Sequence, residues 1–233
     1  TVPAGSEINL VAHSMGGLDC RYLITHLQPQ QQHFRVRSLT TLATPHHGSS
    51  FADYVKSDVI GRTRLELFWS ILGMVGVERG AAENLTMKYI RDEFNPSTPN
   101  DPNVQYFSYA ASFEPGLFSR FRFPWRVVYE REGPNDGLVS VNSARWGTFV
   151  REIPNADHMD IMNWVNAVAW GRSRFPWIIG GSSHDSEGRA KGLLETGDDD
   201  RRETEGVPKE VPPLFNAIEL YLEISDLLYR HGL

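Results

Sequence analysis

The sequence predicts an α/β protein, a mostly parallel sheet flanked by helices. Three observations carry this reading. Residues 8–12 (Ile-Asn-Leu-Val-Ala) form a short apolar run that reads as a buried strand. A helical pattern follows at once, opened by Gly16 and Gly17, with apolar residues at Leu18, Tyr22, Leu23 and Leu27. A second apolar run, 39–43, then completes a strand–helix–strand unit, which places the two strands parallel in one sheet. The chain of 233 residues, 40% hydrophobic and 22% charged, is long enough and ordinary enough to bury a core.

Taken in order, residues 1–7 are polar and turn-like, and the first strand gives way to the helix running to about Leu27. After a polar connection the second strand ends at Thr44-Pro45-His46-His47-Gly48. Residues 51–94 lack strand patterns; 64–77 and 81–94 read as amphipathic helices, either a cap over the sheet edge or ordinary core helices, and 95–102, with three prolines, break the chain. Residues 104–110 read as a third strand and 125–129 as a fourth, ending in Gly133-Pro134-Asn135-Asp136-Gly137. A short strand at 149–153 leads to Asp157-His158, and 159–171 read as a helix. Residues 215–230 show a clear amphipathic period. The domain reading is therefore a core at 1–179 with a helical cap around 51–94, an acidic disordered insertion at 180–212, and a C-terminal amphipathic helix at 213–233 packing on the core.

Charge and cysteine content exclude several function classes. Of the net charge of −6, a surplus of four acids sits in residues 180–212, and no basic stripe suggests nucleic acid. Cys20 is the single cysteine, so no internal disulfide forms, and no zinc spacing of Cys and His appears. The longest apolar run, 67–77, is too short to span a bilayer. No cofactor and no metal are assigned. Any targeting segment would precede Thr1, so the sequence assigns no compartment.

The chemistry concentrates at Val11-Ala12-His13-Ser14-Met15-Gly16-Gly17. A strand, a sharp turn bearing one serine and a helix make a nucleophile elbow, with Ala12 where glycine is usual. A serine hydroxyl needs a base, and the base needs an orienting acid. In this kind of fold the order along the chain is Ser, then acid, then His, each later member on a loop at the carboxyl edge of the sheet. Asp136 in its Asn-Asp-Gly turn and His158 in its polar loop satisfy both conditions. His46 and His47 precede every acid loop, and His13 precedes the nucleophile. Asp157 adjoins His158 and would have to reach backward, Asp160 suits a cap, and Asp19 points away on the elbow helix. The N–H of Met15 is one donor for an oxyanion; a second would come from a loop upstream of the elbow that these residues do not include.

Four motifs in this order, Ala12-His13-Ser14-Met15-Gly16-Gly17, Thr44-Pro45-His46-His47-Gly48-Ser49, Asn135-Asp136-Gly137-Leu138-Val139-Ser140 and Asp157-His158-Met159-Asp160, resemble the triacylglycerol lipases of the α/β-hydrolase fold, both bacterial secreted ones and a related fungal group. The resemblance covers about residues 8–170. It implies an α/β-hydrolase fold lacking its early strands, with Ser14 as nucleophile, Asp136 as acid, His158 as base and Met15 as an oxyanion donor. It also implies a lipid ester substrate, with contact to a lipid–water interface through the apolar cap. Asp160 matches one calcium-ligand position of the bacterial relatives, with no second acid to complete the site. The residues leave three readings open: a lipid ester hydrolase, a lipid acyltransferase or lipid-anchor deacylase, and a catalytically silent hydrolase remnant or binding module.

Overall fold

The computed structural model describes residues 2–27, 34–57, 84–117, 119–163 and 215–233. Among them a four-stranded parallel sheet runs in sequence order: β1 (Ser6–His13), β2 (Phe34–Leu42), β3 (Gln105–Ser112) and β4 (Thr148–Pro154). The described residues belong to one compact unit, drawn from 1–165 and 214–233. Because all four strands point the same way, their carboxyl ends share one edge, which is where an open α/β sheet presents its ligand-binding loops.

β2 and β3 are almost wholly buried, as strands covered on both faces must be. β1 alternates between half-buried and exposed positions, and Val11 is 42% exposed. The expectation of a buried first strand is corrected accordingly: among the described residues β1 pairs only with β2. β1 turns directly into α1 (Gly16–Tyr22), whose last turns widen into a π-helix at Leu23–Leu27. Arg21 on α1 is 1% exposed and has no carboxylate partner among the described residues. Its Nη1 donates to Asn95 Oδ1 at 2.9 Å, its Nη2 to the Thr98 carbonyl at 3.0 Å, and its guanidinium lies 3.7 Å from the Trp146 ring centroid. Burial pushes its pKa down to about 10, still well above neutrality. A buried cation held this way ties α1 to the segment around residue 95 and to the loop before β4.

After β2 comes α2 (Ser50–Lys56), capped by Ser49, whose Oγ accepts from the Phe51 N–H. A composite arm, α3, is made of Met87–Tyr89, a π-turn at Ile90–Phe94, and Asn95–Ser97. The break expected at 95 is therefore delayed by one turn: the chain stays helical through Ser97, and Pro96 follows a π-turn in which the Asn95 N–H reaches back to the Ile90 carbonyl. The cap helix expected at 64–77 lies outside the described residues.

The largest correction falls at 125–129. The run Trp-Arg-Val-Val-Tyr reads as a strand but lies inside a helix, α4 (Arg122–Glu132). A short β-branched run is ambiguous between the two periods. Burial decides it: Phe121, Pro124 and Val128 are buried at helical spacing, and Phe121 and Val128 pack with Phe51 and Ala110. Between β4 and residue 163 the chain makes a 3-10 turn at Asp160–Met162; the rest of the helix expected at 159–171 lies outside the described residues, as does the insertion expected at 180–212. The final helix, α5 (Ala217–Arg230), is capped by Asn216 and buries Leu220 and Ile224 against Leu42, Tyr109 and Ile153. Arg151 of β4 holds it with a bond to Glu223 at 2.7 Å. No helix among the described residues is long and apolar enough to cross a membrane.

Candidate active site

Ser14 sits in the turn between β1 and α1 with φ of +54°, a left-handed conformation that a non-glycine residue adopts at a cost of about 1–2 kcal/mol. The turn is over-determined by its neighbours. The Ser14 N–H donates to the Leu42 carbonyl, extending the β1–β2 pairing by one residue. The Ser14 carbonyl accepts from the Gly17 N–H at 3.1 Å and from Thr44 Oγ1 at 2.7 Å. The Met15 N–H, at the open end of α1, has no acceptor among the described residues. An unpaired donor at a helix start, beside the serine, is placed to receive negative charge.

The two glycines after the elbow do different work. A Cβ on Gly17 would stand 2.2 Å from Thr44 Oγ1, whereas a Cβ on Gly16 would meet nothing within 4 Å. Gly17→Ala is therefore expected to destabilise the fold by about 1–3 kcal/mol through overpacking, with Gly16→Ala close to wild type. Thermal melts of the two variants check this; equal midpoints would show that Thr44 moves aside freely.

Asp136 is reached differently from the sequence expectation. It follows the helix α4, not a strand. It still arrives at the carboxyl edge of the sheet, because the Phe113 N–H just past β3 donates to the Asn135 carbonyl at 3.2 Å. The loop is built around two buried side chains. Asn135 Oδ1 accepts from the Gly137 N–H, and Asn135 Nδ2 donates to the carbonyls of Trp125 and Gly133. Gly137 has φ of +105°, and a Cβ there would strike Phe121, so the turn requires glycine. Asp136 Oδ1 accepts from the Leu138 and Val139 N–H groups at 3.0 and 2.8 Å. That leaves Oδ2 free to face His158.

His158 is fully buried, as is Asp136. Its ring Nδ1 lies 2.6 Å from Asp136 Oδ2, and its Nε2 lies 2.8 Å from Ser14 Oγ. Its own N–H donates to the Asp136 carbonyl at 2.9 Å, so main chain and side chain tie the same two residues. With Nδ1–H donated to the carboxylate, Nε2 carries the lone pair that faces the hydroxyl. The structure thus brings Ser14, His158 and Asp136 into one continuous hydrogen-bonded chain, with Met15 beside it.

Of the rival residues, His46, His47, Asp157 and Asp160 make other contacts. His46 is buried between Thr41 Oγ1, at 3.0 Å, and Arg21, with its ring stacked on Trp146. Burial, then the Arg21 charge, holds it well below the usual imidazole range. His47 packs near Trp146. Asp157 Oδ1 accepts from the Met159 and Asp160 N–H groups, and Asp160 Oδ2 accepts from the Asp157 N–H. These two acids cap each other's backbone. Among the described residues no group of three or more His, Cys, Asp or Glu is able to hold a metal, and the Asp160 carboxylate, which matched a calcium-ligand position, accepts from the Asp157 N–H. Glu132 was not legible from sequence as part of this region. Its carboxylate accepts from Ser140 Oγ at 2.6 Å and from the Ser50 N–H at 2.9 Å, pinning the Asp136 loop to the start of α2. Ser50 lies 82 residues from Glu132 in sequence, and no local pattern marks the pairing.

Residues 3–145 match the family described as "Putative serine esterase (DUF676)". A triacylglycerol lipase of Saccharomyces cerevisiae, triacylglycerol lipase 2, is 44% identical over 171 residues, which are 72% of this chain and 50% of the yeast protein. The chain thus spans half the length of that relative. Among solved structures, a mature lipase of Bacillus licheniformis aligns with a TM-score of 0.56 and 28% identity over 73% of this chain and 65% of its own. A Staphylococcus hyicus lipase, 18% identical, aligns with a TM-score of 0.52 over 76% of this chain and 70% of its own, a likeness of fold alone.

Proposed function

Because the chain belongs to the DUF676 serine esterase family and has an α/β-hydrolase fold, we propose that it hydrolyses lipid acyl esters through Ser14, His158 and Asp136. The observation that carries this reading is the unbroken chain of contacts, 2.8 Å from Ser14 Oγ to His158 Nε2 and 2.6 Å from His158 Nδ1 to Asp136 Oδ2. His158 Nε2 takes the hydroxyl proton as Ser14 Oγ bonds to the ester carbonyl carbon. The carbonyl oxygen becomes an oxyanion, and the Met15 N–H donates to it. The intermediate collapses, the bond to the alcohol oxygen breaks, and His158 passes its proton to the departing alcohol. Water then repeats the sequence on the acyl-serine, releasing the fatty acid. Asp136 keeps the imidazole in one tautomer and stabilises the imidazolium at both proton transfers.

The lipid character of the substrate is supported by the yeast relative, named a triacylglycerol lipase, and the Bacillus neighbour, titled a lipase. Contact with a lipid–water interface through the apolar segment at 51–94 belongs to the same proposal; its central part, 58–83, lies outside the described residues.

A fluorophosphonate probe tests the site without presuming a substrate. It is expected to add once, on Ser14, as read by peptide mass, and to leave Ser14→Ala unmodified. No adduct, or an adduct on another residue, would overturn the assignment and favour a silent binding module. An acyltransferase would share the acyl-serine and differ only in acceptor. Turnover of a labelled glyceride with added alcohol separates the two, since the hydrolase releases free acid in preference to the new ester.

A further inference from the structure

His13 ends β1 and immediately precedes Ser14, yet the sequence gives it no role. Its ring lies against the ring of His158, with centroids 4.5 Å apart and planes tilted by 49°. Its Nε2 is buried and makes no hydrogen bond among the described residues. Burial, then the neighbouring His158, holds His13 well below the usual imidazole range, and the His158 main chain only partly offsets this, so the ring is neutral near pH 7.

The relay holds His158 at both ring nitrogens, Nδ1 against Asp136 Oδ2 and Nε2 against Ser14 Oγ. Once Ser14 Oγ bonds to a substrate carbon, the bond from Nδ1 to Asp136 is the one that remains, and it fixes one end of the imidazole but not the plane of the ring. Swinging about that bond would carry Nε2 away from Ser14 Oγ. The His13 ring occupies one face of this swing. A neutral, polarisable ring there also tolerates the positive charge that forms on His158 during proton transfer, where a cation would oppose it.

We propose that His13 is a positioning residue for the base, an aromatic wall that keeps His158 Nε2 aimed at Ser14 Oγ. The proposal rests on the reading of His158 as the base. What matters is the ring, not its nitrogens. His13→Ala is expected to lower kcat roughly 10- to 100-fold, the scale of a misaimed catalytic group, with KM little changed. His13→Phe, which restores a ring, recovers kcat. The low-field proton NMR signal of His158 Nδ1–H supplies a readout that needs no substrate: broadened in His13→Ala, sharp in His13→Phe. His13→Gln, polar but without a ring, matches the alanine variant and decides the matter if His13→Ala does not fold. A folded ringless variant with wild-type kcat and a sharp low-field signal would overturn the proposal, as would a folded His13→Phe no better than His13→Ala. Failure of the hydrolase reading would appear separately, as activity surviving in Ser14→Ala, while the low-field signal would still report on the wall.

Discussion

Ser14→Ala is expected to abolish turnover of a soluble short-chain ester by a factor on the order of 10⁶ in kcat, and His158→Ala to cost about as much. The double variant should be no worse than either alone. Nucleophile and base act as a unit: without the base, the hydroxyl stays protonated; without the hydroxyl, the base has no proton to take. The Met15 N–H and the binding surface would supply the residual rate in all three. Ser14→Gly adds an independent check. It should be equally inactive yet more stable than wild type by about 1 kcal/mol, because glycine adopts a φ of +54° without the steric cost a Cβ brings. On the proposed mechanism, a serine kept in a strained backbone at the expense of stability is held there for chemistry. Activity within tenfold of wild type in a folded Ser14→Ala would sink the mechanism. A less stable Ser14→Gly would show instead that the Ser14 side chain itself holds the turn.

The strand–helix–strand start was legible because its signals are local. An apolar run, two glycines and a helical period sit side by side, and a helix between two apolar strands is the crossover that parallel neighbours require. The helix α4 was not legible, because Trp125-Arg126-Val127-Val128-Tyr129 has strand composition. Its helical period appears only once Phe121 and Pro124 are counted with Val128, and that requires knowing what they pack against. Misreading that segment did not displace Asp136 from the sheet edge. The Asn135 carbonyl is bonded to the Phe113 N–H whichever element precedes it. Chain order therefore led to three side chains that the structure brings together. The supports around them were invisible, since Arg21, Glu132 and Ser140 act through partners up to 82 residues away. Such buried polar contacts leave no periodic trace in sequence; composition gives Arg21 and Glu132 as ordinary surface charges.

Asp136→Asn separates the chemical role of the acid from its structural one, and kcat is expected to fall about 10⁴-fold with little change in melting temperature. The carboxylate does two jobs with its two oxygens. Oδ1 accepts from the Leu138 and Val139 N–H groups, and an asparagine carbonyl oxygen does that equally well. Oδ2 accepts from His158 Nδ1, and there the amide presents N–H donors to an N–H donor. The imidazole escapes the conflict by moving its proton to Nε2, which then points a hydrogen at Ser14 Oγ and has no lone pair to receive one. Asp136→Ala, by contrast, removes both oxygens. It leaves the Leu138 and Val139 N–H groups buried without acceptors, at about 1–3 kcal/mol each, and the loop loses the anchor that sets its turn. The alanine variant should therefore lose stability as well as activity, while the asparagine variant loses activity alone. Melting temperature and kcat measured on both variants distinguish the roles. If Asp136→Asn retained kcat within tenfold, His158 would draw its orientation from the main-chain bond to Asp136 and from its ring contacts alone, and the acid would be a loop anchor with no part in the proton transfer.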